Sequence, residues 1–392
     1  MANHPEHPYR LFAPGPVPLS EGVRQALSET MIHHRSEAFR IILRESLDLL
    51  QHVFQTRQPV MMLSAAGSGA MEAALVNILS PADEALFVVS GKFGERWWKM
   101  GQAYGVKCYV LEVPWGEAVS LSQLEGELKK HPRVKAVFCQ ACETSTAVAH
   151  PIQEMAGTIR QYAHDCLFVI DAMTAMGAMP LPMDEWDLDV VVSGSQKAFM
   201  LPAGLSFIAL SERAWKAANK CTTPKFYFDL AAELEANSKN ETRFSSAVSL
   251  IRGLHSALKE NFAEDERIKK IRRCETLAHA TREICTKCYG MEVYAKAPSS
   301  SVTAINIPAA IQDKGLNKVL LNKYNLFIGG GQDHLKGKIF RIGHLGHITD
   351  GDQLFLAQAL GLALQECGWK KATDANITAA VDLTRRLLQE TR

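Results

Sequence analysis

Lys197 stands at the end of the apolar run Val191-Val192-Ser193-Gly194-Ser195-Gln196-Lys197. Burial there disfavours the ammonium form and lowers the pKa. A neutral amine can attack an aldehyde and form an imine. A lone lysine is most simply a surface charge, so the reading depends on its company. Asp171 ends a second apolar run, Cys166-Leu167-Phe168-Val169-Ile170-Asp171. A carboxylate in that place can hold a pyridine nitrogen protonated, which makes the ring an electron sink for a carbanion. Standing alone it would read as a helix N-cap. Ser64-Ala65-Ala66-Gly67-Ser68-Gly69-Ala70-Met71-Glu72 follows a strand-like run and opens a helix-like one. Such small residues let backbone N–H groups approach a phosphate at the positive end of a helix. The glycine spacing is not that of the P-loop or the dinucleotide fingerprint, and no lysine follows. In Gly91-Lys92-Phe93-Gly94-Glu95-Arg96-Trp97 the ring of Phe93 is free to stack on a flat ligand. Glu143-Thr144-Ser145-Thr146 offers hydroxyls after another run.

The elements that must position these groups are written as short apolar runs. They are Val60 to Leu63, Ala85 to Val89, Val106 to Leu111, Val137 to Cys139, Leu167 to Ile170, Val190 to Val192 and Ser206 to Leu210. Several lack alternation, as strands covered on both faces do. Helical patterns lie between them, including Gly69 to Leu79 and Pro151 to Ala163, with Pro151 suited to a first turn. Strand–helix alternation predicts a mainly parallel sheet with helices on both faces. The carboxyl ends of such strands face one crevice, and all five groups above follow a strand. A phosphate cradle, a stacking ring, hydroxyls, a carboxylate and a buried lysine together match the parts of pyridoxal phosphate (PLP). From about residue 265 the pattern becomes a long charged helix, short strands at Val302 to Ile307, Leu326 to Ile328 and Lys338 to Ile342, and helices at Gly351 to Cys367 and Asn376 to Leu388. That predicts a smaller α+β unit.

The chain resembles the class V aminotransferases of the aspartate-aminotransferase-like PLP fold, and within them the alanine/serine–glyoxylate (or pyruvate) branch. The resemblance runs from Pro14-Gly15-Pro16 through His34-Arg35-Ser36 to Phe340-Arg341-Ile342-Gly343-His344-Leu345-Gly346, and is strongest over Gly194-Ser195-Gln196-Lys197-Ala198-Phe199-Met200-Leu201-Pro202. It implies an α/β fold with a large domain built on a seven-stranded sheet and a smaller C-terminal domain. The expected boundaries are an arm at 1–20, a large domain at 21–262 and a small domain at 263–392. By the resemblance, Lys197 is the Schiff-base lysine and Asp171 the partner of the pyridine nitrogen. Ala66, Gly67 and Ser68 cradle the phosphate with Gln196, Phe93 stacks on the ring, and Thr146 approaches the phenolic oxygen. Arg341 clamps the substrate carboxylate, whose planar pair of oxygens suits its fork, and Gly15 lies beside that carboxylate. Thr242 and Ser245 match positions from which relatives reach the phosphate across a homodimer interface. Phe93 stands where many relatives have tryptophan, Ala147 where glycine is common, and Ala141 where histidine is.

Bulk properties narrow the alternatives. The chain has 392 residues, 47% hydrophobic and 22% charged, with formal net charge +1. These are ordinary values for a globular protein, and without a dense basic run they suggest neither nucleic acid nor membrane surface as a partner. No stretch reaches the roughly 18 apolar residues of a membrane span, and Met1 to Pro8 lacks the pattern of a signal peptide. The nine cysteines suggest reduced thiols and a cytoplasmic setting. The pairs Cys139/Cys142 and Cys285/Cys288 lie too far apart for a ribbon-type zinc site, so no metal is expected. Desulfuration would need a cysteine in the loop Ile328-Gly329-Gly330-Gly331-Gln332, which has none. Transamination of aspartate or 2-aminoethylphosphonate, or a silent binding subunit on the same fold, are the competing readings.

Overall fold

The computed structural model describes residues 9–263 and 265–390. The signal-peptide reading of Met1 to Pro8, and the first residues of the expected arm, fall outside them. In chain order the strands are β1 (Arg10–Phe12), β2 (Val60–Leu63), β3 (Glu84–Val89), β4 (Lys107–Glu112), β5 (Val134–Gln140), β6 (Cys142–Glu143), β7 (Val148–Ala149), β8 (Leu167–Asp171), β9 (Val190–Gly194), β10 (Ser206–Leu210), β11 (Val302–Asn306), β12 (Leu326–Gly330) and β13 (Ile339–Gly343).

Seven of these form one sheet in the order β2-β10-β9-β8-β5-β3-β4. All the apolar runs read from the sequence become its strands. Only β10 runs against its neighbours, antiparallel to both β2 and β9. The other pairings, β3 with β4, β3 with β5, β5 with β8 and β8 with β9, are parallel. The runs are apolar throughout because both faces are covered. Val137, Cys139, Phe168 and Ile170 pack on one side, with helices such as Glu37–Phe54 and Ile152–Tyr162. Ala136, Phe138, Leu167 and Val169 pack on the other, with Gly67–Ile78 and Lys92–Ala103. The helix expected from Gly69 begins earlier, at Gly67, so Gly67 and Ser68 fall in its first turn. Pro151 is the N-cap residue, and its helix begins at Ile152.

A second sheet has the order β1-β12-β13-β11. It carries its own core, which includes Phe12, Ile305, Ile328, Phe340, Ile342 and residues of the helices Asp350–Glu366 and Asp374–Gln389. Thr349 starts the first of these helices with a capping box closed by Asp352. Of the strands in this sheet, β1 is the one absent from the sequence reading. It pairs in parallel with β12, Phe12 against Ile328, so the start of the chain belongs to the sheet built from its end. Residues Ala13 to Pro18 then pass over the carboxyl side of the large sheet. Gly343 makes this passage possible, since a Cβ there would lie 2.2 Å from the carbonyl oxygen of Ala13. Among the described residues no helix is long and apolar enough to cross a membrane, and all nine cysteines are free.

Candidate active site

Strands β2, β3, β5, β8 and β9 end on the same side of the large sheet, and the groups singled out from the sequence follow them there. The turn after β9 is fixed by its own backbone and by Ser195. The Ser195 hydroxyl donates to the Pro202 carbonyl (2.7 Å) and accepts from the Leu205 N–H (3.2 Å). Met200 takes a left-handed conformation, φ 56°, and its N–H closes back on the Lys197 carbonyl (3.0 Å). Lys197 is thereby aimed at the passing arm, where its Nζ donates to the Pro14 carbonyl at 2.8 Å. Gly15, at φ 143°, leaves room for it, since a Cβ there would come within 2.4 Å of Nζ.

Lys197 is partly accessible, but its amine is enclosed enough for desolvation to dominate. That brings its pKa down to about 8, opposed by the attraction of Asp171 and assisted by the charge of Arg341. Asp171 is 3% exposed at the end of β8. Its Oδ1 accepts the Met173 N–H at 2.9 Å. Burial pushes it up to about 7; the Met173 N–H and Lys197 pull it down, and Glu143 adds to the rise. An amine and a carboxyl group, both brought toward neutrality by burial, therefore face one crevice.

The cradle is open at the N-terminus of Gly67–Ile78. Ala66 makes no side-chain cap bond, and the N–H groups of Gly67 and Ser68 find no acceptor among the described residues. Beneath them lies Met173, whose Sδ would be 2.5 Å from a Cβ at Gly67. Gln196 adds an Oε1 that is buried without a partner. Phe93 opens the neighbouring helix, Lys92–Ala103, and its ring is half-buried.

Glu143 holds this corner together, a role the sequence reading did not give it. The N-cap of Lys92–Ala103 is Gly91, which has no side chain to offer. Glu143 supplies the cap from the short strand β6, with Oε2 accepting from the N–H groups of Phe93 (3.0 Å) and Gly94 (3.1 Å). Its Oε1 accepts from the Ser145 N–H (3.0 Å) and hydroxyl (2.6 Å), while Ser145 Oγ accepts from the Lys92 N–H (3.0 Å). Burial raises the Glu143 pKa, and these donors oppose the rise. A helix beginning at a glycine, with an acidic residue after another strand, was the available signal. The Thr146 hydroxyl is buried and donates to the Glu143 carbonyl at 3.3 Å.

Arg341, on β13, enters from the second sheet and is 8% exposed. Its Nε donates to the Gly330 carbonyl (2.9 Å) and its Nη1 to the Thr144 carbonyl (2.8 Å). No carboxylate among the described residues pairs with it, so the remaining donors of its fork stay available. Lys197, Asp171, Gly15 and Arg341 are thus brought together, with Ala66, Gly67, Ser68, Gln196, Phe93 and Thr146 around them. Among the described residues, no hydrogen bond joins Thr242 or Ser245 to them. The Thr242 hydroxyl donates to the Phe244 carbonyl at 2.8 Å, and Ser245 is exposed.

Comparison with known proteins gives the same direction. Residues 22–340 match the family model described as aminotransferase class-V. The chain is 37% identical, over 94% of its length and 97% of the other, to a protein of Synechococcus sp. (strain PCC 6716) named soluble hydrogenase, small subunit. It is 31% identical, over 96% of each chain, to the L-aspartate–glyoxylate aminotransferase of Paracoccus denitrificans (strain Pd 1222). Among solved structures, the alanine–glyoxylate aminotransferase from Nostoc sp. superposes with a TM-score of 0.86 at 27% identity, covering 93% of this chain and 97% of that one.

Proposed function

We propose that this chain, which belongs to the class-V aminotransferase family, moves an amino group from a small L-amino acid, alanine or serine, to a small 2-oxo acid, glyoxylate or pyruvate. The family is PLP-dependent, and the crevice suits that cofactor. Unclaimed N–H groups at Gly67 and Ser68, at the positive end of the helix Gly67–Ile78, suit a phosphate. The buried carboxyl of Asp171 suits a ring nitrogen, and the Lys197 amine suits an aldehyde. When bound, PLP supplies an aldehyde that condenses with amines and a ring that draws electrons from a substrate's α carbon.

The chain's own residues would do the rest. Asp171 would accept the ring N–H and hold that proton in place. Lys197, neutral above about pH 8, would take a proton from the α carbon at Nζ and hand it back as general acid. Arg341 would grip the carboxylate common to donors and acceptors, which orients the α hydrogen toward Nζ. The arm, with Gly15, would cover this end from water. The observation that carries the reading is a buried guanidinium, without an ion-pair partner among the described residues, in the same crevice as Lys197 and Asp171.

The choice of small substrates is supported by the Lys197 run and by the names of the Nostoc and Paracoccus proteins. The second of those names makes aspartate the runner-up donor. The hydrogenase name of the Synechococcus protein is not carried over. Among the described residues, no set of three His, Cys, Asp or Glu side chains is placed to hold a metal.

A screen of amino donors against glyoxylate and pyruvate, following formation of the oxo acid, tests the reaction. Turnover of alanine or serine is expected; turnover of aspartate alone would move the assignment to the runner-up. The same preparation is expected to sediment as a homodimer, and a fully active monomer would remove the proposed cross-subunit role of Thr242 and Ser245.

The covalent role of Lys197 has its own test. Borohydride should fix PLP to Lys197, as read from a peptide map. The rate of PLP capture by the free protein should climb as pH rises through about 8, because the nucleophile is the unprotonated amine. Adduct on another lysine, or capture that slows over that range, would refute it.

A further inference from the structure

The phosphate cradle lacks a cation of its own. Ala66, Gly67, Ser68 and Gln196 offer dipoles only, and the Lys197 amine is held at the Pro14 carbonyl. A phosphate dianion seated by N–H dipoles alone would be weakly compensated. Arg96 reaches this place from the neighbouring helix. Its Nη1 donates to Ser68 Oγ at 3.1 Å, and its guanidinium carbon lies 4.9 Å from the centroid of the Phe93 ring. Arg96 also lacks a carboxylate partner among the described residues. The adjacent Glu95 is paired instead with Lys92 (3.2 Å) and Lys99 (3.6 Å). The Arg96 charge is felt at both Asp171 and Lys197, where it lowers the pKa of each.

We propose that Arg96 is the cation of the cofactor site: it binds the phosphate of PLP beside Ser68 and steadies the Phe93 ring in the same contact. The assignment rests on the PLP reading given above. It divides the work between two helices, with the first turn of Gly67–Ile78 presenting N–H groups and Lys92–Ala103 lending the charge. A guanidinium suits this task because it can donate to Ser68 and a phosphate oxygen at once while lying against an aromatic face.

Binding of PLP and of pyridoxal, which lacks the phosphate, separates this role from a purely structural one. Both are measured by quenching of tryptophan fluorescence in the wild-type chain, Arg96→Met and Arg96→Lys. In Arg96→Met, PLP should bind on the order of 10–100-fold more weakly, as expected when one partner of a charge-assisted pair is lost. Pyridoxal should change by less than about threefold, so the preference for the phosphorylated form shrinks. Arg96→Lys should recover part of that preference, because the charge remains but the fork is lost. Equal weakening of both ligands would mean that Arg96 acts only through the Phe93 ring, and unchanged PLP binding would mean no role; either result overturns the proposal. A wild-type chain that fails to bind PLP would instead bring down the cofactor reading itself, and this inference with it.

Discussion

Arg341→Leu is expected to slow both half-reactions of transamination, for every α-amino acid and every α-oxo acid tested. All of these substrates share the carboxylate, and donor and acceptor occupy the same pocket in turn. Arg341 has the makings of a clamp. It is buried, it is steadied by the Gly330 and Thr144 carbonyls, and among the described residues no carboxylate forms an ion pair with it. Removing a buried, hydrogen-bonded charge from its partner costs about 2–5 kcal/mol, or roughly 30-fold to several thousand-fold in rate. PLP should stay bound, since its phosphate is held elsewhere. Arg341→Lys should restore only part of the rate, because an ammonium cannot present two parallel donors. The leucine also takes a donor from the buried Thr144 carbonyl, at about 1–3 kcal/mol, while the Gly330 carbonyl lies on an exposed residue within reach of water. Melting temperature and PLP binding must therefore be followed in the same variants. Stopped-flow measurement of each half-reaction decides the matter. Near-normal rates with alanine and glyoxylate would take Arg341 out of the site and favour 2-aminoethylphosphonate, a donor with no carboxylate to grip.

Asp171→Asn should keep the fold and lose on the order of 10²-fold or more in rate, a barrier increase of about 2.7 kcal/mol. The amide is nearly the same shape, and its oxygen can still accept the Met173 N–H that Oδ1 accepts now. It cannot carry the negative charge that holds a proton on a ring nitrogen. A second effect has a definite sign. The carboxylate of Asp171 raises the pKa of Lys197 against the lowering by burial. Without that charge the Lys197 pKa should fall below about 8, so the alkaline rise in PLP capture should move to lower pH. A variant within twofold of wild type, with an unmoved pH profile, would leave Asp171 as the acceptor that closes the turn at Met173 and nothing more.

Lys197 and Asp171 were legible because of what precedes them. Strands covered on both faces must be apolar at nearly every position, so a charged residue closing such a run stands out. The seven strands were legible for the same reason. Their direction was not: Ser206–Leu210 runs opposite to its neighbours, and a fully buried strand looks alike in either sense. Arg10–Phe12 was missed because three residues carry no period, and its pairing is decided by Leu326–Gly330, far along the chain. Glu143 and Arg96 belong to a third kind. Each acts on an element other than its own, Glu143 on the helix that starts at Lys92 and Arg96 on the one that starts at Gly67. Local sequence records neither partner. Arg341 was found only through its resemblance, since one arginine within a short strand has no local mark of its use.

The arm strand also sets an order of events during synthesis. Every strand of the large sheet lies between Val60 and Leu210, so that sheet can pair while the ribosome is still making the remainder. Arg10–Phe12 leaves the ribosome before any of them, yet its partner Leu326–Gly330 is among the last strands made. Until then the native strand pair that anchors the arm beside Lys197 cannot form. The earliest residues of the described chain thus wait for a strand made after the whole large sheet, and the crevice is completed only once the second sheet has joined the first.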